Sequence, residues 1–193
     1  KKPRLVFLNK KCIIQALVVL LVTVNYSAAI NFIALHASAQ GIANAGIYFT
    51  TLAITLLVTR TFAGRMFDAK GIKGFNGAVL IGGISIIIAM LLVSQASSTA
   101  NLIVSGILYG FGFGLIQPAM LVLCIKNLPL KQSGAANASY WTAYDLGIVI
   151  GSTGWGLISS LTGYNIMYIL STIPVIIGVI YYFKNKPTSV PQY

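Results

Sequence analysis

The feature that most constrains this chain is where its charges are absent. Thirteen Lys and Arg but only two acidic residues, Asp68 and Asp145, are spread over 193 residues. The cations interrupt a chain that is otherwise a series of long apolar runs. Six stretches can be marked, at 12–35, 45–62, 75–94, 101–125, 134–161 and 165–183, each with about the 20 residues that a helix needs to cross a ~30 Å hydrocarbon core. The segments between them alternate in charge. Lys1, Lys2, Arg4, Lys10 and Lys11 precede the first stretch; Arg60, Arg65, Lys70 and Lys73 border the second loop; Lys126 and Lys131 lie in the fourth; Lys184 and Lys186 follow the last stretch. The first, third and fifth loops (36–44, 95–100 and 162–164) carry no Lys or Arg. Basic loops stay on the cytoplasmic side, so the reading is an all-α integral membrane protein of six transmembrane helices with both termini in the cytoplasm.

That topology reinterprets the composition. A net charge of +11 in a soluble chain would suggest a nucleic-acid partner. Here the charge sits in short loops beside apolar spans, where it orients the chain and meets anionic lipid headgroups; no nucleic acid is expected. Cys12 and Cys124 fall near cytoplasmic helix ends, where free thiols packed as small hydrophobes are the expectation. No Cys/His cluster offers metal-ligand spacing, and the single His36 falls in an outer loop, where it would be solvated. No metal, no cofactor and no enzymatic activity are expected. Residues 1–11 read as the end of a basic cytoplasmic linker from a longer or processed chain, 12–183 as the six-helix bundle, and 184–193 as a cytoplasmic tail.

A faint internal echo divides the bundle into three helices plus three. Gly41-Ile-Ala-Asn-Ala45 followed by Tyr48-Phe-Thr50 resembles Gly134-Ala-Ala-Asn-Ala138 followed by Tyr140-Trp-Thr142, about 93 residues on and on the opposite side of the membrane, as an inverted repeat would place it. Glycine recurs in the fourth stretch (Gly106, Gly110, Gly112, Gly114) and in the fifth (Gly147, Gly151, Gly154, Gly156). Small residues one turn apart let helix backbones approach in lipid, so these read as packing seams.

Two segments can carry chemistry. Arg60-Thr-Phe-Ala-Gly64-Arg65-Met-Phe-Asp68-Ala-Lys70-Gly71-Ile-Lys73 reads as a helix ending in a tight turn, with Gly71 free to take positive φ. Asp68 can pair with Arg60 or Arg65 or accept from a helix N-terminus. Asp145 lies about 11 residues into the fifth stretch, ~16 Å deep. A carboxylate there costs at least about 2.5 kcal/mol unless it faces a polar cavity or is protonated. On a helix, Trp141, Asp145, Ile148 and Ser152 share one face and Gly147, Gly151 and Gly154 the opposite one, so the glycines would pack while Asp145 lines a pathway. Burial would favour its protonated form, which makes it the candidate for proton coupling. Asn25, Tyr26, Tyr48, Gln117, Trp141 and Tyr144 supply amides and aromatics at comparable depth, suited to a cavity for a small amphipathic solute.

The run Gly64-x-x-x-Asp68-x-x-Gly71-x-Lys73, with Arg60 upstream, resembles the second-half copy of the loop motif of the major facilitator superfamily, with Ala69 where the family has a cation. The Gly110-to-Pro118 segment resembles that family's tenth helix. Tyr144-Asp145-Leu-Gly147 through Gly156 resembles its eleventh, in the drug:proton antiporter-like branch. The resemblance implies helices seven to twelve of a twelve-helix secondary transporter, partnered by an N-terminal six-helix half. Its substrate would be a small solute moved by alternating access with proton coupling, efflux favoured, in a bacterial inner (plasma) membrane. It also implies that Arg60, Gly64, Arg65, Asp68, Gly71 and Lys73 form a conformational motif in which Asp68 latches onto the missing half. The competing reading is a six-helix substrate-binding membrane subunit that docks to an ATPase-driven uptake complex. An intramembrane serine protease is excluded, because Ser133-Gly134 and His36 fall in loops on opposite sides. A water channel is excluded because Gln117-Pro118-Ala119 occurs once.

Overall fold

The computed structural model describes residues 12–126 and 130–186, the side chains of Leu130 and Lys131 excepted. All regular structure among the described residues is helical: α1 (Ile13–Ala39), α2 (Gly46–Lys70), α3 (Ile72–Ser94), α4 (Thr99–Lys126) and a run Leu130–Asn185. Gly163 breaks that run with φ 82° and ψ 167°, a backbone state that side chains with a Cβ avoid. It divides the run into α5 (130–162) and α6 (Tyr164–Asn185). Five helices, α1 to α4 and α6, are long and apolar enough to cross a membrane. The fifth stretch, expected as a span of the same kind, falls short in apolarity because Asn137, Ser139, Asp145, Ser152 and Thr153 interrupt it.

The helices outrun the apolar stretches that mark them. Backbone hydrogen bonding continues until a residue breaks it, not until hydropathy falls. The second helix therefore runs on to Lys70 and stops at Gly71, φ 50°, as its composition suggests. The first runs through Leu35 to Ala39, which removes His36 from the outer loop. His36 is buried instead: its Nε2 lies 2.9 Å from the Val93 carbonyl and its ring packs against Tyr164 and Tyr168. The cysteines also depart from expectation. The start of α1 and the end of α4 meet at one end of the bundle, so Cys12 and Cys124 stand 4.8 Å apart between Cα atoms, within disulfide reach, and are bonded rather than free.

Helix pairing follows the small residues. A Cβ on Gly147 or Gly151 of α5 would collide with Leu20, Thr23, Val24 and Ser27 of α1. One on Gly106, Gly110 or Gly114 of α4 would collide with α2 between Tyr48 and Thr59. In lipid this close approach supplies the packing that apolar burial supplies in water. Gly154, expected on the same seam as Gly147 and Gly151, has no neighbour within 4 Å. Polar ties add specificity. Trp155 Nε1 donates to the Val24 carbonyl at 2.7 Å, joining α5 to α1, and Tyr182 Oη donates to Asn76 at 2.9 Å, joining α6 to α3. Apolar side chains such as Ile81, Ile88, Ile177 and Ile180 of α3 and α6 stay exposed, as a lipid-facing surface requires.

Candidate functional site

The polar and aromatic residues of α1, α2, α4 and α5 converge at mid-depth. Counted from the end of the bundle that holds Cys12, Lys70 and Lys126, Tyr26 lies ~20 Å along α1, Gln117 ~14 Å along α4 and Tyr144 ~21 Å along α5, at 1.5 Å per residue. Tyr26 is the hub of a ring cluster. It stacks on Phe113 at 4.5 Å between centroids and lies 6.1 Å from Tyr109 and 6.5 Å from Tyr144. Trp141 meets Tyr144 edge-on at 5.2 Å. Phe113 and Tyr109 are buried, whereas Tyr26, Tyr144 and Trp141 keep part of their surface free. The arrangement offers aromatic faces with hydroxyl tips, able to stack a flat apolar group and hydrogen-bond its polar substituents.

Arg60 belongs to this cluster rather than to a loop. It stands about ten residues before the end of α2, ~15 Å along the axis, because α2 continues to Lys70. Its Nη2 donates to the side-chain oxygen of Gln117, and its charge is within reach of the Tyr26, Tyr140 and Tyr144 hydroxyls. Gln117 is buried and doubly engaged, since its backbone carbonyl accepts from Tyr140 Oη at 2.9 Å. The motif residues Gly64, Arg65 and Asp68 continue along α2, all exposed, and Lys73 is exposed at the start of α3. Gly64 has nothing within 4 Å of where a Cβ would stand.

The remaining expected residues separate. Asn25 is completely buried, donating through Nδ2 to the Ser171 carbonyl at 2.7 Å and to Ser171 Oγ at 3.0 Å, and accepting from Tyr109 Oη at 2.8 Å. Its hydrogen-bonding capacity is spent on tying α1 to α6 and α4. Tyr48 is completely buried in the core with its hydroxyl unpartnered. Asp145 is exposed on α5 beside Tyr144, on the edge of the ring cluster, with Trp141 one turn before it. Sequence reasoning overlooked Arg60 as part of this cluster; the signal was Gly71. Counting back from that helix stop places the guanidinium ~15 Å along α2, level with Gln117 of α4.

The family model described as Major Facilitator Superfamily matches residues 5–192. The staphylopine export protein of Staphylococcus aureus is 26% identical over 188 residues, covering 96% of this chain and 47% of the relative. The uncharacterized MFS-type transporter YhhS of Escherichia coli (strain K12) is 27% identical over 175 residues, covering 89% of this chain and 42% of the relative. Its counterpart in Salmonella typhi is 26% identical over the same length. The chain thus spans about half the length of the curated relatives it matches.

Proposed function

The chain belongs to the Major Facilitator Superfamily of transporters, and from that premise we propose that it is the C-terminal six-helix half of a proton-coupled exporter. The observation that carries this reading is the combination of a family match along 5–192 with coverage of only 47% of the staphylopine exporter. An N-terminal half of the same polypeptide would complete the cavity, and rocking of the halves would give alternating access. Two further features support the division of labour. The pairing of α1 with α5 and of α2 with α4 is what exchange of the first three helices with the last three produces, in line with an inverted repeat. The exposed α2 face with Gly64 and Asp68 is open for a partner helix, in line with a latch onto the other half. The loop charges and the bacterial relatives support placement in a bacterial plasma membrane with both termini cytoplasmic. The docking-subunit alternative needs no second half and leaves the family match without a role.

Within this half, Asp145 is the coupling group, and the solute meets Tyr26, Gln117, Trp141 and Tyr144. An exported small solute is favoured by the relative named for staphylopine export. Energised inside-out vesicles containing the full polypeptide test the coupling, with staphylopine as the first probe and quenching of a pH-sensitive dye as the readout. Adding the probe should release protons and restore fluorescence with the wild type, and should fail to do so with Asp145→Asn at equal membrane abundance. Equal recovery in the variant would remove Asp145 from the coupling step.

A further inference from the structure

We propose that Arg60, held by Gln117 and flanked by Tyr26 and Tyr144, is an anion-anchoring site, and that the solute this half accepts is an organic anion with a flat apolar portion. The inference rests on the transporter reading and extends it to the chemical class of the solute.

Arg60 lies within the apolar stretch 45–62, ~15 Å from the end of α2, where a charge needs a partner or a task. Arg side chains near helix ends reach the interface by snorkelling. Arg60 instead turns toward the bundle, where its hydrogen bond goes to Gln117 of α4 and its charge reaches tyrosines of α1 and α5. Gln117 is a neutral amide, so it orients the guanidinium without cancelling its charge. The chain has two carboxylates to offer. Asp68 lies about eight residues further along α2, ~12 Å away on the axis. Asp145 is exposed on α5, and no hydrogen bond joins it to Arg60 among the described residues. A guanidinium has five donors in a planar fork; Gln117 takes one direction and leaves the fork free to grip a carboxylate or phosphonate in bidentate fashion. Arg60 itself is exposed and therefore open to a solute. The adjoining partly exposed rings would hold the apolar portion by stacking.

The rival explanation is that Arg60 is neutralised by an acid of the other half. Local potential separates the two without knowledge of the natural solute. In the full polypeptide with its other cysteines replaced, including Cys12→Ser and Cys124→Ser, a single reporter is introduced as Trp141→Cys, or as Tyr144→Cys should the first fail to fold. Its labelling rates by the anionic sulfonatoethyl and the cationic trimethylammonioethyl methanethiosulfonates are then compared. An unneutralised charge within about one Debye length of the reporter favours the anion by about threefold or more at low salt. That preference should persist with Arg60→Lys and vanish with Arg60→Gln. Labelling by both reagents with a ratio that Arg60→Gln does not move would overturn the anion site while leaving the transporter reading intact. Labelling by neither reagent would deny a water-filled cavity at this cluster and overturn both.

Discussion

At the residue scale, two polar side chains at mid-depth do opposite jobs, and composition alone does not distinguish them. Asn25 and Gln117 are both buried amides. Asn25 satisfies itself on Ser171 and Tyr109 and so belongs to the scaffold, whereas Gln117 hands its oxygen to the exposed Arg60. Replacing Asn25 by Leu strands the Tyr109 hydroxyl. The expected cost is about 1–2 kcal/mol, given the modest worth of interhelical hydrogen bonds in membranes. A lower thermal midpoint in detergent, with transport per folded molecule unchanged, is the outcome that fits a scaffold role. Unchanged stability with lost transport would return Asn25 to the cavity. Asp145 drew a functional reading from the sequence because a lone carboxylate deep in an apolar run has few explanations, whereas in the structure it is exposed rather than buried. Arg60 was equally anomalous but hidden, because its stretch was taken to end at Phe62 and the guanidinium was counted with the loop cations. Its inward turn shows only in the hydrogen bond to Gln117 of α4.

At the element scale, the bundle is held by backbone approach at small residues. Gly151 on α5 faces Ser27 and the Val24 carbonyl of α1, where an added methyl has no room, whereas Gly154 three residues on faces open space. Gly151→Ala should therefore destabilise by about 1–3 kcal/mol through overpacking. Gly154→Ala should be neutral or gain about 0.5–1 kcal/mol from helix propensity in this half alone. Thermal unfolding of the two variants, monitored by size-exclusion chromatography in detergent, checks the contrast; equal effects would mean that α1 and α5 do not pack through this seam. The glycine spacing was readable as a seam, but not where the seam ends. Gly154 falls on the same helix face as Gly147, so the open space beside it means that α1 is no longer close to α5 at that level. Loop lengths were overestimated for a different reason. Hydropathy reports where a helix meets lipid, and hydrogen bonding carries α1 past Leu35 and buries His36 against Val93, Tyr164 and Tyr168.

For the whole molecule, α2 and α5 each keep charged side chains exposed. Arg60, Gly64 and Asp68 are exposed on α2, and Trp141 and Asp145 on α5. Among the described helices, α5, which carries Asp145, is the one not apolar enough to count as a span. Charged groups inside a bundle are unsuited to lipid, and in the two-half transporter proposed above they would line the substrate path. The loop charges and apolar runs already announced a six-helix membrane bundle. The cysteine pairing was out of reach, because it depends on which helix ends meet rather than on local composition. The most direct measurement is the size of the native gene product, by immunoblot of membranes from cells carrying a tag after Tyr193. One polypeptide containing two six-helix halves should give a band near twice this chain's 20.6 kDa. A band near 20 kDa, monomeric in detergent and active, would contradict the half-transporter architecture.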